Sequence, residues 1–150
     1  MLTDVMKRII QENTIGLVAT VTPDGAPAVS PKATMVILDD IHIAFSDIRS
    51  PQTARNVKAN PAVELNFIDV FRRQACRVKG SAVYHTKGDA SFEALKHHFA
   101  PWDYLADSIR GYFVVEVTKA QHILSPAYDA GADEETMKVE WLEKYNALLG

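Results

Sequence analysis

The sequence predicts a β-rich α+β domain of six strands with short flanking helices. Three observations carry this. Six short runs are apolar or alternate apolar and polar, turn residues separate them, and four other stretches read as helices. At 150 residues the chain is long enough for a single domain, residues 1–150, with a real core.

In chain order, Thr3 caps a first helix, Asp4 suits its positive end, and Val5, Met6, Ile9 and Ile10 share a face. Ile15 to Val21 reads as a strand. Thr22-Pro23-Asp24-Gly25 is a turn whose glycine can take positive φ. A second strand is expected from about Ala26 to Leu38, bent near Pro31 because proline cannot donate to a central ladder. Asp39-Asp40 turns the chain into a third strand, Ile41 to Phe45. Ser50 then caps a short helix with Pro51 in its first position, ended by Asn60-Pro61. Strands four and five are Ala62 to Ile68 and Gln74 to Tyr84. A helix from Asp89 to Phe99, stopped by Pro101, buries Phe92, Leu95 and Phe99. Gly111 to Val117 makes the sixth strand, running on towards Leu124. A C-terminal helix, about 133–149, is capped by Asp133 and carries a stripe of Met137, Trp141, Tyr145 and Leu148. Periodicity alone fits either a barrel or a sandwich.

Composition narrows the functions. The chain is 47% hydrophobic and 23% charged with a net charge of −3, which favours neither nucleic acid nor an anionic membrane surface. No stretch is long and apolar enough to cross a bilayer. The N-terminus lacks the basic-then-apolar order of a signal peptide, and a cytoplasmic location is the expectation. Cys76 stands alone, which rules out an internal disulfide, and it reads as a buried small hydrophobe. The hydrolase elbow, the phosphate loop, HExxH and paired CxxC are all missing. The five histidines have no metal-ligand spacing, so no metal is expected.

Three polar clusters remain. Phe45 to Asn56 places hydroxyls, an amide and two guanidinium groups where a strand passes into a helix N-terminus, a natural anion site. Arg49 there suits a forked contact to phosphate. Arg72-Arg73-Gln74 opens the fifth strand. Ser30-Pro31-Lys32 lies within the second, where a lysine must reach solvent, a partner or an anion.

In this order the clusters resemble those of the pyridoxamine 5′-phosphate oxidase-like split barrels, which bind FMN. The resemblance runs from about Ile15 to Tyr84, through SPKATMVILDDIHIAFSD, SPQTARNVKANP, RRQ and RVKGSA. It implies a six-stranded antiparallel split β-barrel of Greek-key type, and a homodimer with FMN at the subunit interface. By position, Phe45 and Ser46 match the strand end that contacts the flavin. Ser50, Gln52 and Thr53 match the helix start that holds the phosphate, Gln74 a glutamine that reaches the cofactor, and Lys32 a basic residue on the second strand. Pro51-Gln52 stand where the true oxidase has Arg-Lys, which leaves Arg49 or Arg55 to compensate, and the oxidase's C-terminal substrate pattern is missing.

The reading that follows is an FMN-dependent oxidoreductase acting on a small molecule, with no side chain assigned as catalytic. Trp102 and Tyr104 are candidates for the substrate pocket. The alternatives are a non-catalytic flavin, deazaflavin or haem carrier or sensor, and a cofactor-free barrel used for assembly or for binding another molecule.

Overall fold

A computed structural model describes residues 1–150. Seven strands form one antiparallel sheet: β1 (Gly16–Val21), β2 (Pro27–Lys32), β3 (Met35–Ile37), β4 (His42–Asp47), β5 (Ala62–Asp69), β6 (Gln74–Thr86) and β7 (Gly111–Leu124). Their order is β2-β1-β5-β6-β7-β4-β3. The expected six strands are therefore seven. The run from Ala26 to Leu38 is two strands, β2 and β3, at opposite edges of the sheet, and Ala33-Thr34 carries the chain between them. Pro31 lies in edge strand β2 and bonds no outer neighbour, so its missing N–H does not interrupt a central ladder.

That short link shapes the sheet. Three residue steps of extended chain span about 10–11 Å, so the last residue of β2 and the first of β3 are no farther apart. The sheet therefore curls until its edges approach, without hydrogen bonds between β2 and β3. At the seam a Cβ on Gly16 would lie 2.6 Å from the Phe67 ring and 2.8 Å from Met35 Cε, so only glycine fits. Curvature is also built in at Gly80, beside a register shift in the β6–β7 ladder. A Cβ there would come within 2.3 Å of the Glu116 carbonyl oxygen.

Alternate residues fill the inside of the curl. Val18, Ile43, Phe45, Leu65, Phe67, Cys76, Val78, Phe113 and Val115 are buried there. Phe45 and Phe113 stack at 4.6 Å, with Tyr84 edge-on to Phe113 at 4.9 Å. Helix α1 (Asp4–Glu12) joins this core through Met6, Ile9 and Ile10, its N-terminus held by Thr3. Val5 turns outward, so the buried face is narrower than the spacing suggests. Gly25 takes φ +87° in the β1–β2 turn, as expected. Helix α2 (Pro51–Ala59) buries Thr53, Ala54, Asn56 and Val57, and Asn56 Nδ2 donates to Thr20 Oγ1 at 2.9 Å to fix it on β1.

A second, smaller core lies on the outer face of β4 and β7, where Ala44, Phe92, Phe99, Ile109 and Tyr112 pack together. Its cover is α3 (Ala90–Leu95) followed by a 3₁₀ segment, Lys96–Ser108, which contains Pro101. The expected helix to Phe99 ends its α-helical part at Leu95, and Pro101 sits between two short turns rather than stopping the structure. Helix α4 (Glu134–Leu149) is capped by Asp133, which accepts from Thr136 N at 2.9 Å. Its Met137 is buried. Trp141 lies under the Arg73 guanidinium at 3.6 Å, and Tyr145 meets Phe71 at 5.5 Å. Leu148, expected in the same stripe, is 81% exposed. No helix is long and apolar enough to cross a membrane.

Candidate functional site

The alternation of β4 sorts its last residues. Phe45 points into the core and is fully buried against Phe113, while Ser46 faces the other side. Asp47 points inward again and is buried, with both carboxylate oxygens in use. Oδ1 accepts from Ser50 N at 3.0 Å and Oδ2 from the Tyr84 hydroxyl at 2.7 Å. Burial first, and the Asp47 bond second, push the Tyr84 hydroxyl well above its usual pKa. Asp47 thus fixes the turn that presents Ser50 at the start of α2.

Ser50 occupies the N-cap position, but its hydroxyl makes no capping bond. It accepts instead from Lys32 Nζ at 2.5 Å, across the gap between α2 and the end of β2. The peptide N–H groups of Gln52 and Thr53 in the first turn are left without a side-chain cap. Lys32 is half-buried, and this hydroxyl is its hydrogen-bond partner. Burial lowers its pKa below the ordinary 10.5, with Asp47 partly offsetting the effect. An ammonium can donate three hydrogen bonds, so the group retains capacity for an anion.

Lys32, Ser46, Arg49, Ser50, Trp102 and Tyr104 line one cleft of about 290 Å³. Thr34, which the sequence reading passed over, lines it too. Its hydroxyl pairs with Ser46 Oγ at 2.5 Å and accepts from Ser46 N at 3.0 Å. Arg49 is exposed at its edge, and Tyr104 is 79% exposed. Thr53 is buried behind, 3.4 Å from Ser30 Oγ. Gln52 lies on the solvent side of α2, bonded to Asn56 and Arg55. Neither Thr34 nor Asp47 carries a motif. The hint for both was position, Thr34 two residues after Lys32 and Asp47 three before Ser50.

Gln74 lies outside this cleft. The register places Lys32 opposite Gly16, Gly16 opposite Phe67 and Phe67 opposite Cys76. Three strand spacings, roughly 15 Å, and two more residues therefore separate Lys32 from Gln74. The buried Gln74 amide donates to the Tyr128 hydroxyl at 3.1 Å and to Glu134 at 3.4 Å, and its carbonyl pairs with His122 Nε2 at 2.9 Å. Cys76 is fully buried and its thiol is pushed up to about 11, consistent with a packing role.

Known structures share this architecture. HupZ of Group A Streptococcus is 28% identical, with a TM-score of 0.70, over 83% of this chain and 96% of its own. An F420 reductase is 25% identical, with a TM-score of 0.59, over 79% of this chain and 98% of its own. An FMN-binding protein from Syntrophomonas wolfei shares the fold alone, at 13% identity and a TM-score of 0.68, over 83% of this chain and 87% of its own. No curated protein sequence matches. The pyridoxamine 5′-phosphate oxidase family matches residues 2–124, and the chain belongs to that family.

Proposed function

We propose that the protein is an FMN-dependent oxidoreductase acting on a small molecule, with the flavin phosphate bound in the Lys32–Ser50 cleft. The observation that carries this reading is the half-buried Lys32 ammonium, bonded to one hydroxyl and beside a helix start whose peptide N–H groups have no side-chain cap. Membership of the family and the likeness to an F420 reductase support a flavin or a deazaflavin there.

Lys32 and Ser50 would hold the phosphate, with Arg49 at the cleft edge adding a screened charge. Thr34 and Ser46 offer hydroxyls to the polar parts of the ligand, and Trp102 and Tyr104 border the side on which a substrate would stack. Bound FMN supplies the electron or hydride transfer. The residues lining the cleft include no carboxylate and no histidine, which leaves Lys32 and Tyr104 as the groups there that could move a proton.

A lining without carboxylate or histidine favours a second reading, a flavin carrier without turnover. NADH or NADPH oxidation separates the two: the oxidoreductase exceeds the rate of an equal concentration of free FMN, and the carrier does not.

A homodimer belongs to the proposal. The outer face of β1, β2 and β5 is apolar and open, with Leu17, Val29 and Ile68 at 39%, 64% and 46% exposure. Asn66, opposite Leu17, buries its Oδ1 there without a partner. A second copy would cover these groups and supply the missing donor. Light scattering reads twice the chain mass if this holds, and a monomer for Leu17→Glu.

The direct test of the cofactor is an absorbance spectrum before and after adding FMN and removing the excess. Retained flavin absorbance is expected, lost when Ser50 and Thr53 are both replaced by alanine. A protein that retains none contradicts the reading.

A further inference from the structure

The chain has seven arginines, and five of them are engaged. Arg8, Arg72 and Arg77 reach carboxylates, Arg55 reaches an amide oxygen, and Arg73 a peptide carbonyl and the Trp141 ring. The guanidinium groups of Arg49 and Arg110 make no hydrogen bond, ion pair or ring contact, and both line the same cleft, of about 510 Å³.

The fold puts them there. The β4–β7 ladder ends where Asp47 pairs with Gly111, and Arg110 N donates to the Asp47 carbonyl at 2.8 Å just beyond it. Arg49 follows β4 by two residues and Arg110 precedes β7 by one, so both leave the same end of the sheet. Ile109 is buried in the smaller core, which turns the next side chain, Arg110, outward.

This cleft adjoins the Lys32–Ser50 cleft, since Ile48, Arg49 and Leu105 line both. Ile48 and Leu105 are half-buried and give it an apolar wall, and Ser108 adds a hydroxyl. Its charge has one sign in excess. Two guanidinium groups stand against one carboxylate, Asp107, which pairs with neither. Asp47, the other carboxylate at this end of the sheet, is buried with its oxygens given to Ser50 N and the Tyr84 hydroxyl. Unpaired guanidinium forks beside an apolar wall suit the carboxylate or phosphate of a small organic molecule.

We propose that this cleft holds the oxyanion of the protein's small-molecule substrate, a carboxylate or a phosphate ester, between Arg49 and Arg110, with the organic body over Ile48 and Leu105 towards the neighbouring cleft. That the bound acid is a substrate rests on the flavin reading; the oxyanion site itself does not.

Calorimetry on the FMN-saturated chain, with phenyl phosphate, benzoate and benzylamine as probes, tests this. At least one acid should saturate with a Kd of roughly 0.1–5 mM, and benzylamine should bind at least about tenfold more weakly. The tighter acid names the group, and its binding should shift the absorbance of the bound flavin. Raising the salt from about 0.05 to 0.3 M should weaken it several-fold, because both guanidinium groups are exposed. Arg110→Ala should weaken the acid about five- to tenfold and leave FMN affinity unaltered, since Arg110 does not line the phosphate cleft. Circular dichroism checks the fold of the variant. Should the chain retain no FMN, the same titrations on unloaded Lys32→Met read the arginine pair alone. Acid binding there that Arg110→Ala weakens upholds the oxyanion site, and the substrate role falls with the flavin reading. Equal binding of acids and amine, no saturable acid, no flavin shift, or acid binding that Arg110→Ala leaves unchanged would overturn the proposal. So would a loss of FMN affinity in Arg110→Ala, which would give the pair to the cofactor.

Discussion

Two polar clusters flank the curled sheet, and they are built in opposite ways. Around Arg72 the charges are matched. The guanidinium reaches Asp69 at 3.0 Å, Glu134 at 3.0 Å and Glu12 at 3.3 Å, while Gln74 is bonded to His122, Tyr128 and Glu134. These bonds tie α1, the β5–β6 turn and α4 together. Around Lys32 a half-buried ammonium meets a single hydroxyl, a cap residue does not cap, and Arg49 stands exposed. A cluster whose charges are paired holds structure, and one with an unpaired charge beside a cleft is available to a ligand. The same residue types, arginine, lysine, serine and glutamine, carry both roles, and pairing tells them apart.

The comparison breaks most visibly at Asp69. It is buried and accepts from the Phe71 and Arg72 N–H groups as well as from the guanidinium. Asp69→Ala should lower stability by about 3 kcal/mol, because it leaves the Phe71 and Arg72 N–H groups without their acceptor and takes one of three carboxylates from the guanidinium, and urea denaturation measures it. The folded fraction should still bind FMN. Next in size, Lys32→Met should weaken FMN about 10- to 100-fold while the melting temperature holds or rises, since it removes a desolvated ammonium.

The pH dependence sharpens the assignment. Lys32 has a depressed pKa in the free protein, and a bound phosphate would raise it again. Affinity should be level while the lysine is charged, then fall as the pH rises through the depressed value, before 10.5 is reached. Titrations at stepped pH measure this, and the Lys32 contribution should vanish in Lys32→Met. The smallest effect belongs to Ser50→Ala. It should weaken FMN about three- to tenfold, yet reduce stability by less than the ~1 kcal/mol of an ordinary N-cap, because no capping bond is lost.

Much of this was legible in the sequence. Thr3, Asp133 and Pro51 marked helix starts, Gly25 its turn, and the alternating runs of β5 and β6 their buried faces. The join at Ala33-Thr34 was not, because two strands at opposite sheet edges read as one when two extended residues link them. Ser46, Arg49 and Ser50 emerged as cleft residues because strand-to-helix passages have a recognisable chemistry, and Lys32 because a lysine within a strand must reach solvent, a partner or an anion. Thr34 and Asp47 did not, since their roles depend on partners 12 and 37 residues away in the chain. Gln74 matched a family position in order, but its bonds to Tyr128 and Glu134 come from segments where no motif signals a contact.

The most direct test of the contrast is a pair of flavin-fluorescence titrations, on Lys32→Met and on Arg72→Met, each with its thermal melt. The account predicts that Lys32→Met loses at least about tenfold in FMN affinity with its melt intact, and that Arg72→Met melts earlier while the folded protein binds FMN as the unaltered chain does. An unaltered affinity in Lys32→Met would contradict it.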